Sequence, residues 1–239
     1  MHSNIYDLIS KKTHSKSDFY KILSKYIDGF GSNITFINPF SYRYFEDNPD
    51  KIDDFTNFFI DGSSLVFLHN LFHLNKVDRV SFDYSSIAGD VFKFCTDNDL
   101  NVAIIGGSEI EIKNACNNIV SEYPKLKINY RRNGFFNNKI EVEDIVFNVL
   151  KSDFIILGLG TPKQEDFSSY LHSIYPGKII FTCGGFITQT AIKNDYYFPI
   201  VKKLGLRWLQ RAIMHKHVRR RLLYDYPIFF YKYIKCKLS

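Results

Sequence analysis

The sequence predicts an α/β fold: a Rossmann-like, largely parallel sheet with flanking helices, followed by a basic helical C-terminal appendage. Three observations predict it. Short apolar runs alternate with amphipathic stretches, several of those runs end in glycine pairs or Gly-x-Gly, and positive charge gathers in residues 196–239. Strands of a parallel sheet are buried on both faces, so they read as unbroken apolar runs between helices. Ligands of such sheets bind outside the carboxyl ends of the strands, which is where these glycines fall.

In chain order, Ser15–Asp28 reads as a short helix with Gly29 to Gly31 as its exit. Ile34–Ile37 is a strand ending at Asn38-Pro39, and the apolar runs Phe58–Ile60 and Ser64–Phe67 flank Asp61-Gly62. Val102–Ile105 runs into Gly106-Gly107, Leu126–Tyr130 into Asn133-Gly134, Phe154–Leu157 into Gly158, and Lys178–Thr182 into Gly184-Gly185. Helical periodicity covers Ser85–Asn98, Glu109–Tyr123, Val142–Lys151 and Lys163–Ile174. Pro199 to Tyr226 reads as one or two helices, with Leu204, Trp208 and Ala212 on one side and Arg207, Arg211 and His215 on the adjacent flank. Pro227 is expected to interrupt them.

At 239 residues and 45% apolar content the chain can bury one sizeable core, which excludes wholesale disorder. Its four cysteines show no ligand spacing and read as reduced thiols of a cytosolic protein. Met1–Asp28 is polar and charged, so no secretory signal is expected, and no apolar run approaches the length that spans a bilayer. No Walker A loop or GxGxxG is present, which leaves P-loop and dinucleotide readings without support.

Charge separates two parts. Residues 196–239 hold eleven of the 31 Lys and Arg and one of the 25 acids, Asp225, giving about +10 against about −4 for residues 1–195. Trp208, Tyr224, Tyr226, Phe229, Phe230, Tyr231 and Tyr233 interleave with those cations. Such a tail suits a phosphate-bearing partner: a diphosphate ligand, an anionic membrane surface or a nucleic acid. The net acidic body and the lack of any RNA- or DNA-binding signature argue against nucleic acid. The expected division is therefore a catalytic α/β domain over 1–195 and a substrate- and membrane-contacting appendage over 196–239.

Two local constellations could carry chemistry. Asp61, where an apolar strand meets a turn, is either an ordinary Asp-Gly turn or a partly desolvated general base acting on a hydroxyl. In Gly158-Leu-Gly-Thr-Pro-Lys-Gln-Glu165, Gly158 and Gly160 allow close backbone approach, Thr161 can cap the next helix and Pro162 fits its first position. Lys163 is unfavourable so early in a helix unless an anion is near, and Gln164 and Glu165 follow it. Arg79 is either a surface charge paired with Asp78 or a phosphate contact.

These residues resemble the WecG/TagA/CpsF glycosyltransferases, from about Ile34 to Tyr224. Gly158–Glu165 is similar to the family's G-x-G-x-P-K-Q-E, and Gly205-Leu-Arg-Trp-Leu-Gln-Arg211 to its G-L-E-W-l-x-R. Asn38-Pro39, Asp61-Gly62, Ile105-Gly106-Gly107 and Cys183-Gly184-Gly185-Phe186 are similar to its T-x-N-P, A-D-G, apolar-Gly-Gly and G-V-G-x-x-F-D segments. The resemblance implies an inverting, metal-independent transfer, with no cofactor, of a sugar from a UDP-sugar to a polyprenyl-diphosphate-linked saccharide in bacterial cell-surface polysaccharide synthesis. It implies Asp61 as catalytic base and a substrate site drawn from Asn38, Arg79, Gly106, Gly107, Gly160, Pro162, Lys163, Gln164, Glu165, Gly184 and Gly185. Arg207, Arg211, Arg219, Arg220 and Arg221 would serve the substrate diphosphate. Membrane attachment at the inner face and a homo-oligomer are also implied.

The chain departs from the pattern at Phe36 in place of Thr, at Arg207 in place of Glu, at His215-Lys216 in place of Glu-Pro, and near Thr188 and Gln189, where the Asp has no counterpart. A non-catalytic relative that partners another transferase is the alternative those departures allow.

Overall fold

The computed structural model describes residues 4–194, 196–203, 206–214 and 216–238. The chain opens with α1 (Ile5–Lys11), α2 (Lys16–Ile27), β1 (Ser32–Ile37), α3 (Tyr42–Asp47), β2 (Asn57–Ile60), α4 (Ser63–Phe72) and α5 (Ala88–Asp97). It continues with β3 (Asn101–Gly106), α6 (Glu109–Glu122), β4 (Lys127–Arg132), α7 (Lys139–Val149), β5 (Phe154–Gly158), α8 (Lys163–Ile174), β6 (Ile179–Thr182) and α9 (Phe186–Ile192). The tail holds α10 (Pro199–Lys203), α11 (Arg207–Met214), α12 (Lys216–Arg220) and α13 (Tyr226–Leu238).

All six strands are parallel, in the order β2-β1-β6-β5-β3-β4. The chain builds outward from β1 to β2, crosses over to lay down β3 and β4, and then fills the centre with β5 and β6. The strand order thus reverses near the centre, and the carboxyl ends of β1, β2, β3, β5 and β6 converge around one crevice. Strand alternation divides the core. Phe36 and Phe59 face a cluster with Phe19, Phe92, Phe181 and Phe186, whereas Ile37, Phe58 and Ile60 face Tyr6, Phe45 and Phe55. A third cluster packs α7 and α8 on Ile105, Ile155 and Leu157. The edge strand β4 alternates exposed and half-buried residues and carries Lys127, Arg131 and Arg132, a charge pattern that discourages further strand pairing.

The structure differs from the sequence reading at particular points. Ser64–Phe67 is not an extended run but part of α4, whose Leu65 and Leu68 turn into the second core cluster. Helical spacing is what buries both of them on one side. Pro227 does not break the tail. Residues Arg221–Asp225 form a π-helical turn between α12 and α13, and the Tyr226 N–H reaches back to the Arg221 carbonyl. That widened turn lets the helix pass a proline that supplies no N–H.

The tail is not a detached arm. Phe229 and Tyr233 of α13 are buried among Tyr6, Tyr42 and Phe72. The Tyr233 hydroxyl lies 2.9 Å from His73 Nε2, and Lys237 pairs with Asp7. Ile228, Tyr231 and Leu238 remain exposed on the opposite side.

Candidate functional site

Each strand contributes a residue to the crevice at the point where its ladder ends. Asn38 follows β1 and folds its side chain onto its own loop, with Oδ1 accepting from the Phe40 and Ser41 N–H groups at 2.9 and 3.2 Å. Asp61 follows β2, and its N–H donates to Ile37 O at 2.8 Å, so the carboxylate is aimed by the last ladder bond. A bridge between Ile60 and Arg79 brings the next segment alongside β2. Arg79 then donates through one terminal nitrogen to Asp61 Oδ1 at 2.8 Å and to Asp83 Oδ2 at 3.1 Å.

Asp83 is the residue that sequence reasoning missed. It is buried and accepts from Arg79, from Ser81 Oγ at 2.6 Å, from the Ser85 N–H at 2.8 Å and from the Ser85 hydroxyl. Arg79 and the serine hydroxyls outweigh the burial that opposes its charge, and hold it below the usual carboxylate range. A signal existed: Arg79, Ser81, Asp83 and Ser85 alternate with Val80, Phe82 and Tyr84 in the sequence, and those three apolar side chains pack into the core although the chain bends and turns from Phe82 onward.

Two cavities meet at Asp61. The first, about 350 Å³, lies over the glycine loops and is lined by Asn38, Gly107, Gly160, Gln164, Gly184 and Gly185, together with Phe40, Asp83, Tyr197 and Arg221. The second, about 440 Å³, lies between the body and the tail. Gly62, Ser63, Ser64, Arg79, Arg207 and Trp208 line it, together with Leu222, Tyr226, Pro227 and Phe230. Asn38, Asp61 and Tyr197 border both. The Asp61 side chain is 26% exposed, so Arg79 pairing rather than deep burial defines its surroundings.

The Gly-x-Gly-Thr-Pro-Lys-Gln-Glu segment divides its labour. Gly160 and Gln164 face the first cavity, and Gln164 Oε1 accepts from the Gly184 N–H at 3.2 Å, joining the loops after β5 and β6. Lys163 points elsewhere. Its Nζ donates to Gly134 O and Phe136 O at 3.0 and 2.9 Å and sits 3.8 Å from the Phe136 ring centroid. Those carbonyls and that ring face account for a cation in the first turn. Pro162 is the N-cap of α8, and the Thr161 hydroxyl donates to Glu165 Oε1 at 3.1 Å rather than capping a backbone N–H. Gly106 serves packing: a Cβ there would come 2.3 Å from Gly158 O, where β3 and β5 converge.

Glu165 is wholly buried beside that loop. Gln164 Nε2 and Thr161 Oγ1 both donate to its Oε1, and Oε2 is buried without a partner. Burial pushes its carboxyl up to about 7, against the lowering effect of those hydrogen bonds. The folded protein therefore holds a proton there that the unfolded chain releases above about pH 4.5, and stability falls as pH rises from there to about 7. Glu165→Gln removes this dependence. The variant is expected to gain on the order of 2–3 kcal/mol over the parent between pH 5 and pH 8, read as a smaller drop in Tm. An equal drop in both proteins would show that Glu165 is not the group that titrates.

The tail arginines separate. Arg221 borders the first cavity with its guanidinium 3.5 Å over the Phe40 ring, and Arg207 lines the second. Arg219 donates to the Ala212 and Ile213 carbonyls at 3.0 and 3.1 Å, closing the end of α11, and Arg220 is exposed. Arg211 lies on α11, with its side chain outside the described residues, as are Leu204, Gly205 and His215. Phe36 lies at the floor of the first cavity, stacked on Phe59 and Phe181, while the Thr35 hydroxyl is buried against Thr182 at 2.9 Å. An Asp97-Asn98-Asp99 triplet stands just before β3, at the amino edge of the sheet opposite the crevice. Its carboxylates pair with Lys93 and Lys127.

An all-parallel sheet with a carboxylate, an arginine pair and glycine loops at its carboxyl edge defines an open α/β enzyme with its site at the switch point. The profile of the Glycosyl transferase WecG/TagA/CpsF family matches residues 14–239. The chain belongs to that family and is a glycosyltransferase. It is 41% identical over 202 residues, 84% of this chain and 85% of the relative, to a UDP-Gal:alpha-D-GlcNAc-diphosphoundecaprenol beta-1,4-galactosyltransferase of Shigella boydii. It is 27% identical over 143 residues to an N-acetylglucosaminyldiphosphoundecaprenol N-acetyl-beta-D-mannosaminyltransferase of Staphylococcus aureus strain MW2, covering 59% of this chain and 54% of that one.

Proposed function

We propose that the protein transfers a hexose, galactose in the first instance, from its UDP-sugar to N-acetylglucosamine on a polyprenyl diphosphate, with inversion, in cell-surface polysaccharide synthesis. The observation that carries this reading is the position of Asp61 on the wall shared by two cavities. A displacement needs donor and acceptor on opposite sides of the reacting carbon with a base at the acceptor hydroxyl, and one carboxylate on the dividing wall meets that need. The Shigella relative's name supplies the substrate class.

In this mechanism the donor diphosphate lies over Gly160, Gly184 and Gly185 with Arg221 at its edge. The acceptor hydroxyl gives its proton to Asp61 Oδ2, since Oδ1 is engaged by Arg79. Its oxygen bonds to the anomeric carbon as the bond from that carbon to the diphosphate breaks, and UDP leaves with the electron pair. An α-linked donor thus gives a β-linked product. Charge growing on the diphosphate is met by arginine rather than by a metal. The test is a panel of UDP-sugars with N-acetylglucosaminyl-diphosphate-lipid as acceptor, each run with and without EDTA. Transfer of galactose, insensitive to chelation and giving a β-glycosidic product, is expected; retention of configuration or a requirement for added metal would overturn the mechanism.

The membrane-facing side of the same reading rests on the tail. Among the described residues no helix is long and apolar enough to cross a membrane. The protein attaches peripherally at the inner leaflet through the outer side of α13, where Ile228, Tyr231 and Leu238 are exposed beside Lys235, while the neighbouring Lys232 pairs with Glu46 of the body at 3.3 Å. Each basic residue near an anionic surface contributes about 1 kcal/mol. Truncation at Pro227 would strip core residues, so the cleaner variant carries Ile228→Glu with Tyr231→Glu. Its sedimentation with anionic vesicles is expected to drop several-fold at unchanged Tm, and undiminished binding would remove the anchor role.

A further inference from the structure

Behind the wall of the first cavity lies a carboxyl that no bound ligand touches. Glu165 is 0% exposed and borders neither cavity, yet it is hydrogen-bonded to two residues that line the first. Thr161 and Gln164 both donate backward to its Oε1, at 3.1 and 2.9 Å. The Gln164 amide is oriented by its neighbours: the Gly184 N–H can only donate, so it takes Oε1, and Nε2 is turned to the carboxyl. Glu165 Oε1 engages one N–H of that Nε2, and the amide keeps a second donor. The other carboxyl oxygen, Oε2, is buried with no partner in the protein. An orphaned oxygen costs far less on a neutral acid than on a carboxylate, and burial, reinforced by Asp166, holds the Glu165 carboxyl up at about 7. The surroundings favour the neutral form too. α8 packs on β1, β5 and β6, which turn Asn33, Thr35, Ile155, Leu157, Ile180 and Thr182 toward it, none of them ionisable. From α3, Tyr44 donates to Asp166 Oδ1 at 2.6 Å, and burial with that bond keeps its phenol protonated. Cys183 belongs to the cluster on the opposite face of the sheet, its thiol pushed up by burial, and Lys163 is turned to the Gly134 and Phe136 carbonyls.

We infer that Glu165 is a positioning residue that gates the nucleotide diphosphate by its charge: uncharged, it lets Thr161 and Gln164 share their donors with a phosphate oxygen; ionised, it draws both back and repels the anion. Hydrogen bonds to a carboxylate are stronger than those to a neutral acid, so ionisation sets Glu165 against the ligand for the same two donors. This gate rests on the proposed seat of the donor diphosphate over Gly160, Gly184 and Gly185. Nucleotide affinity is full below about pH 7 and falls as pH rises above it, because the ionised form must regain a proton to bind. The coupling is reciprocal: a bound diphosphate holds the proton on Glu165, and binding above about pH 7 takes up a proton.

UDP is titrated by calorimetry into the full-length protein and into Glu165→Gln at pH 6 and pH 8.5, in buffers of different ionisation enthalpy. Glutamine keeps an acceptor oxygen for Thr161 and Gln164 and cannot ionise. The phosphate ionisation of UDP enters both titrations equally, so the difference between the two proteins isolates Glu165. Between pH 6 and pH 8.5 the parent Kd is expected to rise about tenfold relative to that of the variant, with about one more proton taken up per UDP at the higher pH. Equal pH dependence and equal proton uptake in the two proteins would overturn the gate, and a residue that served folding alone would give that result. Should the variant fold poorly, the parent decides by itself: UDP added at pH 8.5 is expected to raise the protonated-carboxyl band in the infrared difference spectrum, and no rise overturns the gate. Galactose transfer without this proton linkage would remove the gate and keep the proposed reaction. Linkage in a protein that transfers from no UDP-sugar would keep the gate and remove the reaction, and a parent that binds no UDP at either pH would remove both.

Discussion

Asp61→Asn is expected to lower the rate of sugar transfer by about 10²–10⁴-fold, the range a positioned general base contributes, while UDP affinity stays within twofold of the parent. The substitution keeps the side chain's shape and an oxygen that can accept from Arg79, and Arg79 retains Asp83 as a charged partner. What disappears is the capacity of the second oxygen to take a proton. The loss belongs in kcat, because the base acts only as the acceptor oxygen attacks and adds little to ground-state binding. Single-turnover transfer with saturating donor and acceptor, paired with calorimetric titration of UDP, separates the two quantities. Near wild-type transfer by the variant would reassign Asp61 to holding Arg79 in place.

Much of the fold was legible because parallel strands advertise themselves. Ile34–Ile37, Val102–Ile105 and Phe154–Leu157 are buried on both faces, so their apolar character is continuous, and each ends where a glycine or Asn-Pro must turn the chain. Asp61 was legible for a related reason: a carboxylate after a fully buried strand has few places to go except the sheet edge. Asp83 was hidden because it lies in a segment with almost no ladder pairing, where alternation is the only trace. Lys163 and Glu165 show the limit of reading function from a dense motif. Lys163 is consumed by two carbonyls and a ring, and Glu165 by a threonine and a glutamine. Only Gly160 and Gln164 of that segment's predicted contacts face the first cavity. The tail's charge was plain in the sequence, but its docking was not, because the residues that hold it, Tyr6, Tyr42 and Phe72, all lie in the first third of the chain, far from the tail in sequence.

That docking carries the second large effect. Phe229→Ala is expected to cost about 3–5 kcal/mol, the range for truncating a fully buried phenylalanine, and to reduce transfer by more than the unfolded fraction explains. Phe229 is 4% exposed and meets Tyr6, Tyr42 and Tyr233 with ring centroids 5.1–6.3 Å apart. Removing its ring leaves a void on the surface where α13 is pressed to the body. The same helix supplies Tyr226, Pro227 and Phe230 to the wall of the second cavity, so loosening it opens that cavity before the sheet itself is disturbed. Acid should act on the same joint. Burial, reinforced by Lys237 and His69 and opposed by Asp7, lowers His73 to about 4. The unfolded chain therefore binds a proton that the folded chain refuses between about pH 6.5 and pH 4, and the stability of the joint falls as pH drops through that window. Thermal melts of Phe229→Ala and the parent at pH 7.5 and pH 5, with proteolysis near the tail as a local probe, test both claims. A variant that keeps its tail protected and its transfer rate at pH 7.5 would mean that α13 contributes neither to holding the fold nor to shaping the site.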